Sequence, residues 1–426
     1  MSLPAILLIV IFLSTMLLGI PVAWALALSC IATVIVDPTL ELLIIPQKLF
    51  MYSDSFAFLA IPCFYLAGDI MAKGGLSKRL IQLADSLVGW VSGGISLVAI
   101  VACTFFAAIS GSSVATTAAI GGLMYPEMVK KGYPEDYAAA LQAVGGTLGI
   151  VIPPSIVFVI YGNLTGNPVG KLLMAGVIPG IITCIALCMY AYMKARKNNF
   201  PKSDSFSFKS FLKSFAGSIW ALLMPLIILG GIYSGVFTAT EASAVAALYG
   251  IVVCLAIYRE MRLKQYWEII KSTALSTASL MLLVGFAQLF GYLITYDRVP
   301  QAVTGAFMSV ANGQTTFLLL VFVLLIICGM FLDVSATNLI LGPILTPIAL
   351  AFGVDPIHFG CFFVFMLAVG QATPPFGTCL FVASSVSKRP LSGITKEAIP
   401  MVCVEFACGL LFAFVPILST LLPDLV

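Results

Sequence analysis

The sequence is poor in charge. Lysine, arginine, aspartate and glutamate make up 9% of its 426 residues, against roughly a quarter in an average soluble domain. No polar stretch is long enough for a separate soluble domain, so the chain reads as one membrane-embedded unit, 1–426. The net charge of +3 is too small to argue for nucleic acid, and the basic residues sit in short loops, as orientation signals do. Histidine occurs once. His358 stands close to Asp355 in an expected loop and reads as a surface residue, with too few partners for a metal or nucleophilic site. The eleven cysteines lack CxxC spacing. They are scattered singly through apolar segments such as Ile61-Pro-Cys63 and Val402-Cys403, and read as small packing residues in the membrane.

Two further absences narrow the classes. No lysine or arginine precedes Lys48, so Ala23-Trp24-Ala25, although it has the form of a signal-peptide cleavage site, lacks the positive region such a peptide needs. The start is expected to be retained as membrane helix. A phosphate-binding loop is also missing: Gly166-Asn-Pro-Val-Gly170-Lys171-Leu172 has one spacer too few and leucine where Ser or Thr must hold Mg²⁺. This argues against ATP-driven pumping within the chain.

What is there is apolar, 61% of the residues. A crossing helix needs about 20 mostly apolar residues, and about ten to twelve blocks qualify. The fold class that follows is an all-α polytopic membrane protein. Residues 3 to 36 would make a helix of about 51 Å, well beyond the roughly 30 Å hydrocarbon core, so Gly19 and Pro21 are expected to break or tilt it. Pro38 to Phe50 reads as an interfacial amphipathic stretch and Asp54 to Met71 as the next span. The longest polar segment, 194–214, carries Lys194, Arg196, Lys197, Lys202, Lys209 and Lys213, and is expected to be cytoplasmic. Arg259, Arg262 and Lys264 should share that side, with Trp220 to Val236 and Ala242 to Tyr258 crossing out and back between the two loops.

The chain also repeats itself. Slid against itself by one constant offset, with no gap, it pairs Ala115 with Ala336, Thr116 with Thr337, Gly121 with Gly342, Pro126 with Pro347 and Gly132 with Gly353. The same offset then pairs Gly149 with Gly370, Pro153 with Pro374 and Pro154 with Pro375. These are mostly positions that set the backbone, and they predict two related halves, approximately 50–195 and 270–426. In the first, residues 95–128 are nearly uncharged yet cut by Ser110-Gly111-Ser112-Ser113. Each arm is too short to cross, so a re-entrant hairpin is expected, its polar tip buried in protein or lining a cavity. Residues 137–161 are interrupted by Gly145-Gly146, Gly149 and Pro153-Pro154, which should unwind the span and leave carbonyl oxygens without partners. In the second half the hairpin is 318–352, cut at Asp333-Val-Ser-Ala-Thr337. The broken span is 359–384, cut at Gly370-Gln-Ala-Thr-Pro-Pro375. A last span, about 402–422, carries Glu405. An odd number of crossings between the halves, which the segment count favours, would make them inverted copies.

Two tips and two broken spans would bring carbonyls, helix termini and hydroxyls near the midplane. Helix N-termini favour an anionic substrate group, and free carbonyls with hydroxyls coordinate Na⁺. The candidate substrate and cation residues are Ser110, Gly111, Ser112, Ser113, Gly145, Gly146, Pro153 and Pro154, with Asp333, Ser335, Thr337, Gly370, Thr373, Pro374 and Gly377. Among them Ser110, Ser112, Ser113, Gly145, Asp333, Ser335, Thr337, Gly370 and Thr373 are read as Na⁺ ligands. An isolated serine in a span ordinarily serves close helix packing; serines at a break that recurs favour the liganding role. Asp333 stands out, because an ionisable group inside the membrane costs at least about 2.5–3.5 kcal/mol on insertion scales. A bound cation or a helix terminus would compensate it. Glu405 carries less, since a mid-span carboxylate can simply bond a neighbouring helix.

Other classes fit less well. An intramembrane aspartyl protease needs two embedded aspartates, but Asp297 adjoins Arg298 and a loop at Val299-Pro300, which leaves Asp333 alone; no enzyme is expected. A channel also uses re-entrant loops, yet two inequivalent hairpins in one chain suit a substrate site better than a symmetric filter.

The stretches Leu59-Ala-Ile-Pro62 with Leu66-Ala-Gly68, Ala107-Ala-Ile-Ser-Gly-Ser-Ser113 with Ala115-Thr116, Phe237-Thr-Ala-Thr-Glu-Ala242 and Gly370-Gln-Ala-Thr-Pro-Pro375 closely resemble the large membrane subunit (M type) of tripartite ATP-independent periplasmic (TRAP) transporters. The resemblance runs over nearly the whole chain, in order, departing at Ala239 where the family usually has proline. It implies a bacterial inner-membrane, Na⁺-driven importer of carboxylates such as dicarboxylates and sialic acids. It implies an elevator mechanism, in which an inverted-repeat transport domain carrying both hairpins moves against a scaffold. It also implies two partners besides the lipid bilayer: a small four-helix membrane subunit (Q type) and a soluble periplasmic substrate-binding protein (P type). The alternative is a stand-alone sodium-coupled anion transporter of related elevator architecture that needs no binding protein.

Overall fold

Gly19, in the left-handed region at φ 79°, and Pro21 end the first helix early and start a second. In the computed structural model, which describes residues 2–198, 200, 207–261, 263–311 and 313–425, α1 (Leu3–Leu17) and α2 (Val22–Val36) are separate. The chain continues through α3 (Ile44–Ser53), α4 (Ala60–Lys73), α5 (Leu76–Val88), α6 (Gly94–Ser110), α7 (Ser113–Lys130), α8 (Glu135–Val151) and α9 (Ile156–Thr165). Next come α10 (Val169–Ala175), α11 (Val177–Lys197), α12 (Phe208–Tyr233), α13 (Ala239–Val252) and α14 (Leu263–Tyr296). The last are α15 (Val299–Val310), α16 (Gln314–Phe331), α17 (Val334–Ala351), α18 (Pro356–Gly370), α19 (Thr378–Ser387), α20 (Leu391–Phe414) and α21 (Ile417–Thr420). No strand occurs among the described residues.

Among the described residues eight helices are long and apolar enough to cross a membrane, or nine if α8 and α9, bent by 42° at their break, form one span. This is fewer than the apolar blocks suggested. The difference lies in α1, α2, α6, α18 and α19, which are apolar but only 10–17 residues long, about 15 to 26 Å as helix. The segment expected to be a long polar loop is also shorter: α11 runs through Lys194, Arg196 and Lys197, and α12 takes up Lys209 and Lys213. Lys202 and Arg262 lie outside the described residues.

The opening helices fold back on one another along α14. Going out, Ser2 Oγ donates to Asp297 Oδ1 and Phe12 meets Phe290 at 5.3 Å between ring centroids. Coming back, Cys30 reaches the Phe286 carbonyl and Thr39 meets the Tyr296 hydroxyl. Helix α5 is of another kind: its buried residues Leu76, Leu80, Leu83 and Ala84 recur at helical spacing, with Lys78 and Arg79 between them and Asp85 just after, the pattern of a helix with one wet face.

The core sits around α8 and α18. Every residue from Tyr137 to Val151 and from Ile357 to Gly370 is buried, which is why both helices are apolar on all sides. The glycines of α8 do not unwind it. The helix is continuous through Gly145, Gly146 and Gly149 and ends at Val151, because glycine lowers helix propensity only modestly while the missing side chains let neighbouring backbones come close. The break is left to residues 152–155, where the two prolines stand.

Helix bounds follow the sequence repeat. Helices α7 and α17 begin and end at the offset that takes Ala115 to Ala336, and α8 and α18 begin at the same offset. The matched helices point opposite ways. Along α20, α8 runs parallel, with Asp136 against Gly393 and Thr147 bonded to Glu405. Helix α18 runs antiparallel to α20, with His358 at Ala413 and Met366 at Gly409. His358 is therefore no surface residue. Asp355 caps α18 by accepting from the Ile357 and His358 N–H groups. The imidazole is thereby placed on a buried first turn, where Nε2–H donates to the Ala413 carbonyl and Nδ1 lies 2.8 Å from Ser419 Oγ.

Candidate functional site

The first tip is built by one glycine and three hydroxyls. Helix α6 stops at Ser110 because Gly111 turns left-handed at φ 61°, and Ser112, in extended geometry, restarts the chain as the N-cap of α7, its Oγ accepting from the Ala115 N–H. The turn makes α6 and α7 a hairpin. Cys103 packs at Gly145 on the outward arm, and Gly121 packs at Gln142 on the returning one. Both tip serines that flank the turn are buried, Ser110 at 3% and Ser113 at 1% exposure.

The tip is inserted against the break between α8 and α9. A Cβ on Gly111 would stand 2.7 Å from the Pro154 carbonyl oxygen, and one on Gly149 would stand 2.5 Å from that of Ser112. Ser113 Oγ donates to the Thr147 carbonyl at 3.2 Å. Ser110 Oγ lies 2.9 Å from Thr116 Oγ1, which donates to the Ser112 carbonyl at 2.8 Å. Three oxygens without formal charge, Ser110 Oγ, Thr116 Oγ1 and the Ser112 carbonyl, thus share one small volume beside Pro154. The serines and the proline break, which the sequence singles out separately, are brought together here. The glycine pair is divided, with Gly145 facing Cys103 of α6 and Gly146 facing Thr117 of α7.

The second tip copies the helix start but not the packing. Helix α16 ends at Phe331, Asp333 is the N-cap of α17 with its Oδ2 accepting from the Ser335 N–H at 2.8 Å, and Thr337 Oγ1 donates to the Asp333 carbonyl at 2.9 Å. Asp333 is exposed. Of the two compensations open to it, the helix terminus is the one its hydrogen bonds show. Gly370 meets Gly329 of α16, where a Cβ on either would stand 2.7 Å from the other's Cα. Beyond it, Thr373 Oγ1 donates to the Val369 carbonyl and Gly377 N–H to the Thr373 carbonyl. Among the described residues no hydrogen bond joins Asp333 to the 371–377 stretch. The contact there is apolar, Phe331 against Phe376 at 6.0 Å between ring centroids.

The first tip meets α4, where a Cβ on Gly68 would stand 3.3 Å from the Ser110 carbonyl oxygen; Tyr65, one turn earlier, lies within electrostatic range of Asp333. Each half also lends an element to the other: α7 packs on α19, and α17 on α9. Asn338 Nδ2 donates to the Val157 carbonyl at 3.0 Å, and Tyr161 Oη lies 2.8 Å from Thr346 Oγ1. Four helix N-termini, those of α7, α9, α17 and α19, open at the breaks, and the helices before them end there. The region therefore offers partial positive charge from N–H groups and partial negative charge from carbonyls.

Two participants were not among the candidate site residues. Thr116 was named only as the repeat mate of Thr337, and that pairing, with its i,i+4 spacing from the capping Ser112, was the available signal. Thr147 gave no signal, since its partner Glu405 lies far along the chain on another helix.

Residues 9–418 match the sequence model of the tripartite ATP-independent periplasmic transporter, DctM component. The chain is 40% identical over 402 residues to the isethionate TRAP transporter permease protein DctMQ of Oleidesulfovibrio alaskensis, covering 94% of this chain and 63% of that longer protein. It is 41% identical over 377 residues to the C4-dicarboxylate TRAP transporter large permease protein DctM of Pseudomonas aeruginosa, 88% of each chain. In fold it is similar to the crystal structure of the YdaH transporter of Alcanivorax borkumensis, with TM-score 0.58, 14% identity, and 87% and 86% of the two chains covered.

Proposed function

Because the chain belongs to the DctM component family of tripartite ATP-independent periplasmic transporters, we propose that it is the sodium-coupled large membrane subunit of an importer for small carboxylates, of C4-dicarboxylate or sialic acid type. The observation that carries the reading is the oxygen cluster of Ser110, Ser112 and Thr116 at a buried helix break. Hydroxyls and carbonyls of this kind suit Na⁺, and the helix N-termini beside them suit an anion. The similar proteins named for isethionate, for C4-dicarboxylates and for sialic acid also favour a small organic anion.

In this reading the chain sits in a bacterial inner membrane with residues 194–214 cytoplasmic, and α6–α7 and α16–α17 are re-entrant hairpins in two inverted repeats. The opposed directions of α8 and α18 support the inversion. The unit holding both hairpins moves as an elevator against the remaining helices. A small four-helix subunit completes the scaffold, and a periplasmic binding protein delivers the substrate. The test is uptake into proteoliposomes that hold the chain and the small subunit. Accumulation that requires both an inward Na⁺ gradient and the binding protein supports the reading. Uptake driven by ATP with no ion gradient overturns the coupling, and full uptake without the binding protein favours the stand-alone alternative.

A further inference from the structure

Glu405 is the one carboxylate among the described residues with no exposed surface. It lies mid-way along α20, a helix that contributes nothing directly to either tip. Its Oε1 meets Thr147 Oγ1, while its Oε2 has no hydrogen-bond partner. Among the described residues no lysine, arginine or histidine acts on it; Cys379 of α19 and Cys408 of α20 are titratable neighbours. A charge-pairing role therefore has no partner to act on, and what remains is the hydrogen bond to Thr147.

That bond fastens the turn of α8 on which the first tip rests. Thr147 Oγ1 lies 2.6 Å from the Val144 carbonyl as well as against Glu405, and its own carbonyl receives the Ser113 hydroxyl. On the same turn, Gly146 faces Thr117 and Gly149 faces the Ser112 carbonyl, whose oxygen belongs to the cluster. We propose that Glu405 is a positioning residue: through Thr147 it holds this turn of α8, and so sets the spacing of the Ser110, Ser112 and Thr116 oxygens that bind the cation. The inference rests on the sodium reading above and adds a residue outside the tips to it. The threonine hydroxyl has one hydrogen for two acceptors, so a neutral side chain that donates from position 405 lets Thr147 give its hydrogen to the Val144 carbonyl and keeps the bond between α8 and α20.

The test is thermal unfolding of the purified full-length chain titrated with sodium chloride against choline chloride, for the wild type, Glu405→Gln, Glu405→Leu and Thr147→Val. The sodium concentration giving half the shift should match between wild type and Glu405→Gln, whose amide donates to Thr147. It should rise about fivefold in Thr147→Val and Glu405→Leu, the worth of one net hydrogen bond. A purely structural role would lower all melting temperatures without moving that midpoint or showing rescue by glutamine. If Glu405→Leu does not fold, Thr147→Val and Glu405→Gln decide between them. Unmoved midpoints in the variants beside a normal wild type, or a glutamine variant as impaired as Thr147→Val, overturn the role of Glu405 alone. A wild type with no sodium-specific shift overturns the cation reading beneath it.

Discussion

Ser112 and Asp333 occupy matching positions of the sequence repeat and do the same two things. Each caps the second arm of its hairpin with a side-chain oxygen, and each has its carbonyl occupied by the hydroxyl of the threonine four residues on, Thr116 or Thr337. They differ in charge and in surroundings: Ser112 is pressed against α8, whereas Asp333 is exposed.

That contrast separates capping from charge. Asparagine caps a helix about as well as aspartate, and replacing either by alanine costs about 1 kcal/mol. Asp333→Asn is expected to keep the wild-type melting temperature and lose Na⁺-driven uptake, while Asp333→Ala loses both. Uptake at the wild-type rate in Asp333→Asn, measured at limiting sodium, would reduce Asp333 to a cap. Ser112→Ala removes one hydroxyl and leaves the carbonyls, so it is expected to weaken uptake and raise the sodium needed for half-maximal rate.

Thr116 tests the cluster from its buried side. Thr116→Val keeps shape and removes the oxygen shared between Ser110 and the Ser112 carbonyl, and the sodium concentration for half-maximal uptake is expected to rise by about fivefold or more. Thr116→Ser, which restores the hydroxyl, is expected to recover most of it. Equal sodium curves for the valine variant and the wild type would remove Thr116 from the site.

Glycines of α7 and α8 should divide by what they face. Gly149→Ala places a methyl 2.5 Å from the Ser112 carbonyl oxygen, whereas nothing lies within 4 Å of a Cβ on Gly122. Gly149→Ala is expected to lower the melting temperature and abolish uptake. Gly122→Ala, in an open helix position, is expected to be neutral or stabilising by up to about 1 kcal/mol. Melting curves and uptake on the same preparations compare the two, and a tolerated Gly149→Ala would mean that the tip does not rest on α8 as described.

The punctuation of the fold was legible and its contacts were not. Gly19, Gly111 and the paired prolines announce where helices stop, because their backbone preferences act locally. The constant offset between the two halves also relates the bounds of α7 to those of α17, although the hairpins run 94–130 and 314–351 where 95–128 and 318–352 were expected. The glycines of α8 misled, since a helix that needs close neighbours and a helix that unwinds carry the same residues, and only the packing of Cys103 and Thr117 tells them apart. His358 misled for the opposite reason: a capping aspartate looks like a loop until the buried turn that follows it is seen. Glu405 was legible as a mid-span carboxylate bonded to a neighbouring helix, but its partner Thr147 was not, because the bond joins helices far apart in sequence with no local pattern to mark it.

The most direct measurement is binding of radioactive sodium to the purified chain, wild type against Thr116→Val and Asp333→Asn, with potassium and unlabelled sodium as competitors. Saturable binding displaced by sodium but not potassium, weakened in both variants, is the expected result. No saturable binding, or binding unchanged in both variants, would contradict a cation site at the hairpin tips.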